Sequence, residues 1–184
     1  GVKRTAFIVE HARLKRARRP VVVFLHGQSG AGVRVRDRLG LDRGMKSRSV
    51  VAVYPDAIGG RWDVGENGSE REIKFVRDLI AKLESDGIAD PRRIYIAGGG
   101  PGGILAMRIA CRQADRFAGA AALISLMPAT DAAACKPARP IPFLLLAGVY
   151  VAWYGYYEYR LIVRNDDIGG GPVDSAFSIS NRKS

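Results

Sequence analysis

Histidine and cysteine are scarce in this chain of 184 residues, with two of each. That number of ligands is too small for a zinc site or a disulfide-built scaffold. Cys111 and Cys135 can close one loop or stay as two buried thiols, and the residues alone leave both open. His11 and His26 leave little room for metal or histidine chemistry, and no cofactor is expected. No apolar run reaches the roughly 18 to 20 residues that a membrane helix needs, so no membrane insertion is expected. The opening stretch "GVKRTAFIVEHARLKRARRP" has no continuous apolar segment, so no signal peptide is visible in it.

What is abundant is positive charge. The net charge is +11, and residues 1–48 hold thirteen Lys or Arg against three acids. Such a segment reads either as a surface for polyanions or as a solvated edge strand and loop. No aromatics interleave the basic run as single-strand binders require, which disfavours nucleic acid as a partner.

The apolar pattern alternates strands with helices. Residues 20–26, "PVVVFLH", 49–54, "SVVAVY", and 93–97 read as strands buried on both faces. Residues 2–10 read as an extended edge, and 117–126, 141–147 and 157–163 as further strands. In 70–84, Ile73, Val76, Ile80 and Leu83 share one helical face with charges opposite. Residues 102–112 read as a second helix, and the glycine-rich stretches 59–68 and 169–171 as loops. This alternation predicts one domain over residues 1–184, a three-layer α/β sandwich on a mostly parallel sheet.

Between the strand at 93–97 and the helix at 102–112 lies Ala97-Gly98-Gly99-Gly100-Pro101-Gly102-Gly103. It satisfies G-x-G-x-x-G, a dinucleotide-binding pattern. Pro101 removes an N–H where a phosphate would want one. No acid ends the next apolar strand, so that reading is weak.

A set of segments in order is more specific: "PVVVFLHGQSGAG", "VVAVYPDAIGGRWD", "FVRDLIAKL", "DPRRIYIAGGGPGG" and "CKPARPIPFLLLAG". Together they resemble the polyhydroxybutyrate depolymerases and related feruloyl and acetylxylan esterases, from about residue 5 to 178. The resemblance implies an α/β-hydrolase fold, secretion, and action on polyester or esterified polysaccharide. It also implies a disulfide between Cys111 and Cys135. Relative to the family pattern the chain looks C-terminally truncated, lacking a helix, with an apolar sheet face left open to self-association.

Ester hydrolysis on this fold needs a serine on a strained strand-to-helix turn, a histidine base, an acid and an oxyanion hole. By the resemblance the nucleophile position is Gly100, and the next residue, Pro101, has no N–H to give an oxyanion. The acid position is Val151 and the strand-end histidine is Ala147. The triad histidine would lie beyond residue 184, and no histidine follows His26. The other oxyanion donor, the Gln28 N–H, is in place. His26, Gly27, Trp153 and Tyr154 are expected at the substrate cleft. The expectation is therefore a pseudoenzyme on an esterase scaffold, the alternative being a non-enzymatic binding protein using the basic region or the aromatic loop 150–159. Ser29 is weighed as a relocated nucleophile or a plain turn residue, Trp62 as a loop anchor rather than a ligand contact.

Overall fold

The computed structural model describes residues 3–10, 18–28, 30–65, 68–151, 156–164 and 177–178. Eight strands make one sheet: β1 (Ala6–Val9), β2 (Arg19–Leu25), β3 (Val51–Pro55), β4 (Ala89–Gly99), β5 (Gly119–Leu123), β6 (Phe143–Val151), β7 (Tyr156–Arg164) and β8 (Phe177–Ser178). Their order is β1-β3-β2-β4-β5-β6-β7-β8. The strands β3, β2, β4, β5 and β6 are mutually parallel, while β1, β7 and β8 pair antiparallel at the edges.

One face of the sheet carries α3 (Gly68–Ser85) and α4 (Pro101–Arg112). The expected stripe of α3, Ile73, Val76, Ile80 and Leu83, is buried against Val21, Val23, Ile94 and Ile96. Each such side chain contributes about 1.5–3 kcal/mol by leaving water. Intrinsic helix propensity differs by only tenths among ordinary residues, so packing rather than propensity holds α3. The sequence places charges opposite that stripe, yet Glu72 is buried as well. It meets Arg4 at 2.6 Å, and the Arg4 guanidinium lies 3.9 Å from the Phe75 ring centroid.

The other face carries α1 (Gly32–Leu39) and α2 (Asp42–Ser47), packed over Val9, Ala52 and Tyr54. These two helices lie within the basic segment 1–48, one reading of which is a solvated edge strand and loop. The alternating "VRVRDRL" of α1 buries only Gly32, so it has no stripe to betray it. Burial, with Asp42 beside it, pushes the Tyr54 hydroxyl up to about 12. This layer ends beyond β2. Val22, Tyr95, Ala97, Ala121 and Leu144 line an open cavity of about 500 Å³ over β2, β4, β5 and β6. Its walls include Tyr95 at 38% and Leu144 at 43% exposure, so the face is apolar and open among the described residues.

Several boundaries differ from the sequence reading. β4 begins ahead of the strand read at 93–97 and takes in Asp90-Pro91, where the pairing with β2 shifts register between Arg19 and Val21. The Arg92 N–H and the Arg93 side chain donate to the Asp90 carboxylate and hold it below the usual carboxylate range. The strand expected over 117–126 stops at Leu123, because Ile124 takes φ 51°. The stretch read as an aromatic loop over 150–159 is largely hairpin: β6 runs to Val151 and β7 starts at Tyr156. Valine and tyrosine favour strands, and two such segments pair readily.

The short helix α5 (Ala129–Ala134) buries none of its side chains. Two ties hold it. Arg108 of α4, nearly buried, donates to Asp131 at 2.7 Å. Cys111 and Cys135 form a disulfide with Cα atoms 5.6 Å apart. The bridge spans a sequence separation of 24 residues, so replacing both cysteines by serine should lower stability by roughly 2–4 kcal/mol. Urea unfolding with and without reductant measures this, and an unchanged midpoint would mean that Arg108–Asp131 holds α5 alone.

Candidate functional site

The carboxyl ends of β2, β4 and β5 meet at the turn from β4 into α4. Gly100 caps α4 with φ 53° and ψ −126°, and Pro101 occupies the first helical position, where its missing N–H costs the helix nothing. The turn is crowded at Gly98, Gly102 and Gly103 but not at Gly99, where a methyl would meet only Leu123 O at 3.7 Å, nor at Gly100. A methyl group on Gly98 would lie 2.2 Å from the Gly102 oxygen. One on Gly102 would lie 2.4 Å from the His26 oxygen and 2.5 Å from that of Leu25. One on Gly103 would strike Ser125 Oγ at 2.1 Å. At Gly100 a methyl would meet nothing within 4 Å. The backbone thus projects one position into open space and clears side chains from around it.

Three N–H donors of this turn are already engaged. Gly100 N–H donates to Leu123 O at 3.1 Å, and Gly103 and Ile104 N–H both donate to Gly100 O. Pro101 has none to give. A phosphate cradle needs several converging free N–H groups, so the G-x-G-x-x-G spacing serves helix–strand packing here.

His26-Gly27-Gln28 follows β2 and lies against this turn. The packing of Gly102 on His26 O shows it, as does the 3.6 Å from a methyl on Gly27 to Gly99 O. Gln28, next in the chain, is exposed. The His26 side chain does not line a cleft as expected, because it is only 1% exposed. Its Nε2 accepts from the Ala57 N–H at 3.1 Å, and its Nδ1 lies 2.8 Å from Gly27 O. An N–H can only donate, so Nε2 is the unprotonated nitrogen and Nδ1–H the donor. With both nitrogens occupied, His26 has none left for a relocated nucleophile. Trp62 donates from Nε1 to His26 O at 2.9 Å, and the two rings lie 4.9 Å apart, so Trp62 anchors the loop as expected. Asp56 of the Tyr-Pro-Asp motif is also structural. It accepts from the Gly32 N–H at 2.7 Å and from the Thr5 hydroxyl at 2.8 Å.

The turn has neighbours that the sequence did not announce. Ile124 is 74% exposed and Leu126 68%, both just past the end of β5. Between them Ser125 Oγ lies 2.8 Å from both Gly100 O and Leu123 O, and shares its one proton between them. Read as a continuing strand, these residues gave no signal, because only the positive φ at Ile124 turns them outward. A β-branched residue in that region is strained, a feature that tends to gather at functional sites.

Val151 ends β6 opposite Tyr156, and Ala147 pairs with Arg160, so both are backbone partners in the β6–β7 hairpin. Ser29, Trp153 and Tyr154 lie outside the described residues, as does His11. No cluster of metal-ligating side chains occurs among the described residues, and no helix there is long and apolar enough to cross a membrane.

No family model matches the chain. It is 26% identical over 136 residues to "Putative esterase NocK" of Nocardia uniformis subsp. tsuyamanensis, covering 71% of this chain and 39% of that protein. It is 36% identical over 94 residues to "Feruloyl esterase B" of Piromyces equi, covering 50% of this chain and 18% of that protein. The chain therefore spans well under two thirds of either relative. Among solved structures, a thermostable esterase superposes with a TM-score of 0.64 at 22% identity, over 79% of this chain and 42% of the other. Sheet order, the strand–turn–helix at Gly100 and these likenesses agree: the chain has the α/β-hydrolase fold and is similar in sequence to proteins described as esterases.

Proposed function

We propose that this chain is an ester-hydrolase scaffold that has kept its nucleophile turn and lost the nucleophile. One observation carries the reading. Gly98, Gly102 and Gly103 are closed to any side chain, while Gly100 faces open space in the strained backbone that a catalytic serine adopts on this fold. Glycine there supplies no oxygen to attack a carbonyl, and Pro101 supplies no N–H to hold the resulting oxyanion. Losing one such donor costs about 10²- to 10³-fold in rate, and losing the nucleophile removes the covalent route altogether. Val151 offers no carboxylate at the acid position. What remains around the Gly100 turn is the Gly27 backbone, the exposed Gln28 and an exposed apolar wall of Ile124 and Leu126. Such a wall suits the acyl part of an ester, in a polyester or an esterified polysaccharide. The disulfide is of the kind that persists in oxidising compartments, so secretion belongs to this reading. We take residues 1–184 as one domain.

Hydrolysis of short-chain p-nitrophenyl esters tests the proposal. The chain should show no turnover above the uncatalysed rate, and Gly100→Ser with Pro101→Asn should remain near that rate for want of a base. Turnover by the unaltered chain would mean that another nucleophile acts and that the turn has been misread. Binding is tested separately, by titrating methyl ferulate against backbone amide resonances. Shifts at Gln28, Gly100 and Ile124 are expected, and their absence would reduce the scaffold to structure alone.

A further inference from the structure

The cations of this chain are not treated alike. On the α3–α4 side of the molecule most have a carboxylate within reach: Lys74 with Asp78, Lys82 with Asp86, Arg112 with Glu70, Arg116 with Glu84, Arg71 with Asp63. The α1–α2 layer differs. Residues 32–48 hold six cationic side chains and two acidic ones. Both carboxylates, Asp37 and Asp42, are drawn to Arg36. Arg34, Arg38, Arg43 and Arg48 are exposed, and no ion pair reaches them among the described residues. Arg34 and Arg38 stand one turn apart on α1 and so share a face. An open cavity of about 380 Å³, lined by Arg36, Asp37, Gly40, Asp42 and Arg43, continues the surface from α1 onto α2.

We propose that this layer is a docking surface for a carboxylated polysaccharide. Guanidinium groups present paired N–H donors that match a carboxylate, and a row of them suits a chain that repeats the charge. Nucleic acid fits less well. Bases would need exposed rings to stack on, and the one exposed ring at this surface among the described residues, Phe7, is covered by the Arg36 guanidinium at 4.7 Å. A duplex groove would need a projecting helix, whereas α1 has eight residues and lies flat on β2 and β3. A lipid surface would need a continuous apolar face. Here the half-exposed Val33 and Leu39 are isolated from one another rather than continuous. The surface is distinct from the Gly100 turn, and the inference does not depend on how that turn is read.

The test is affinity for polygalacturonate as a function of salt, with dextran, a 20-base-pair DNA duplex and phosphatidylserine vesicles as comparisons. Four contacts predict that log K falls with log salt at a slope of roughly −3. Replacing Arg34, Arg38, Arg43 and Arg48 by glutamate should weaken binding by at least about 100-fold. An equal charge change on α3, with Lys74, Arg77, Lys82 and Arg71 replaced by glutamate, should weaken it only a few-fold. Thermal unfolding checks that both variants fold, and an Arg34→Gln, Arg38→Gln pair gives a milder version. Equal losses in the two variants would reduce the effect to net charge and overturn the proposal. Tighter binding to DNA or to vesicles would reassign the surface, and no retention on polygalacturonate at low salt would remove it.

Discussion

A Gly102→Ala chain is expected to lose about 3 kcal/mol or more of stability, at or beyond the upper end of ordinary overpacking. A Gly100→Ser chain is expected to lose only about 1–3 kcal/mol, the usual cost of a non-glycine residue in a sparsely populated backbone region. The contrast comes from what each new atom meets. At Gly102 it meets the His26 and Leu25 carbonyl oxygens at 2.4 and 2.5 Å. Those are backbone atoms at the end of β2, and they cannot swing aside as a flexible side chain would. At Gly100 it meets nothing within 4 Å, and the whole cost lies in φ 53°. Against a typical total of about 5–15 kcal/mol, the first change threatens folding and the second does not. Urea unfolding of the two variants measures the difference. Equal losses would mean that the turn relaxes freely and that its resemblance to a nucleophile elbow carries no geometric meaning.

Glu72→Ala is expected to cost about 3–5 kcal/mol, the range for removing one partner of a buried ion pair. Arg4 is 12% exposed and Glu72 1%. Without Glu72 the guanidinium stays against Phe75 and near Trp62, in poor contact with water. The loss reflects that stranded charge more than the attraction of the pair. Hence a double change, Arg4→Met with Glu72→Leu, should recover most of it. The pair joins residues 68 apart, so the N-terminal edge ahead of β1 should loosen first, which amide exchange at β1 would report. A loss below about 1 kcal/mol would place the pair among ordinary surface salt bridges.

The sheet and its main helices were legible in the chain because they follow from periodicity. Runs such as "PVVVFL" and "VVAVY" have no polar face to turn to water, so they become inner strands. Ile73, Val76, Ile80 and Leu83 return every third or fourth residue, so they become a helix stripe. The Gly98–Gly103 turn was legible for a local reason as well, since few other residues pack so tightly. Gly100 and Pro101, on which the proposed loss of the nucleophile rests, were also written in the chain.

Other features required the fold. His26 looked like chemistry, and became a buried strut only when Ala57 and Trp62 arrived from 31 and 36 residues away. Glu72 looked like one more charge on an outer helix face, and Arg4 made it part of the interior. Ile124 and Leu126 read as strand, and a single backbone torsion put them in solvent beside the turn. The α1–α2 layer had no stripe to read, and its free arginines emerged only once both acids had paired with Arg36. Sequence alone determined which segments would leave water, because that depends on each residue's own side chain and its period. Tertiary structure decided which polar and charged groups would be satisfied, strained or left free, because that depends on partners distant in the chain.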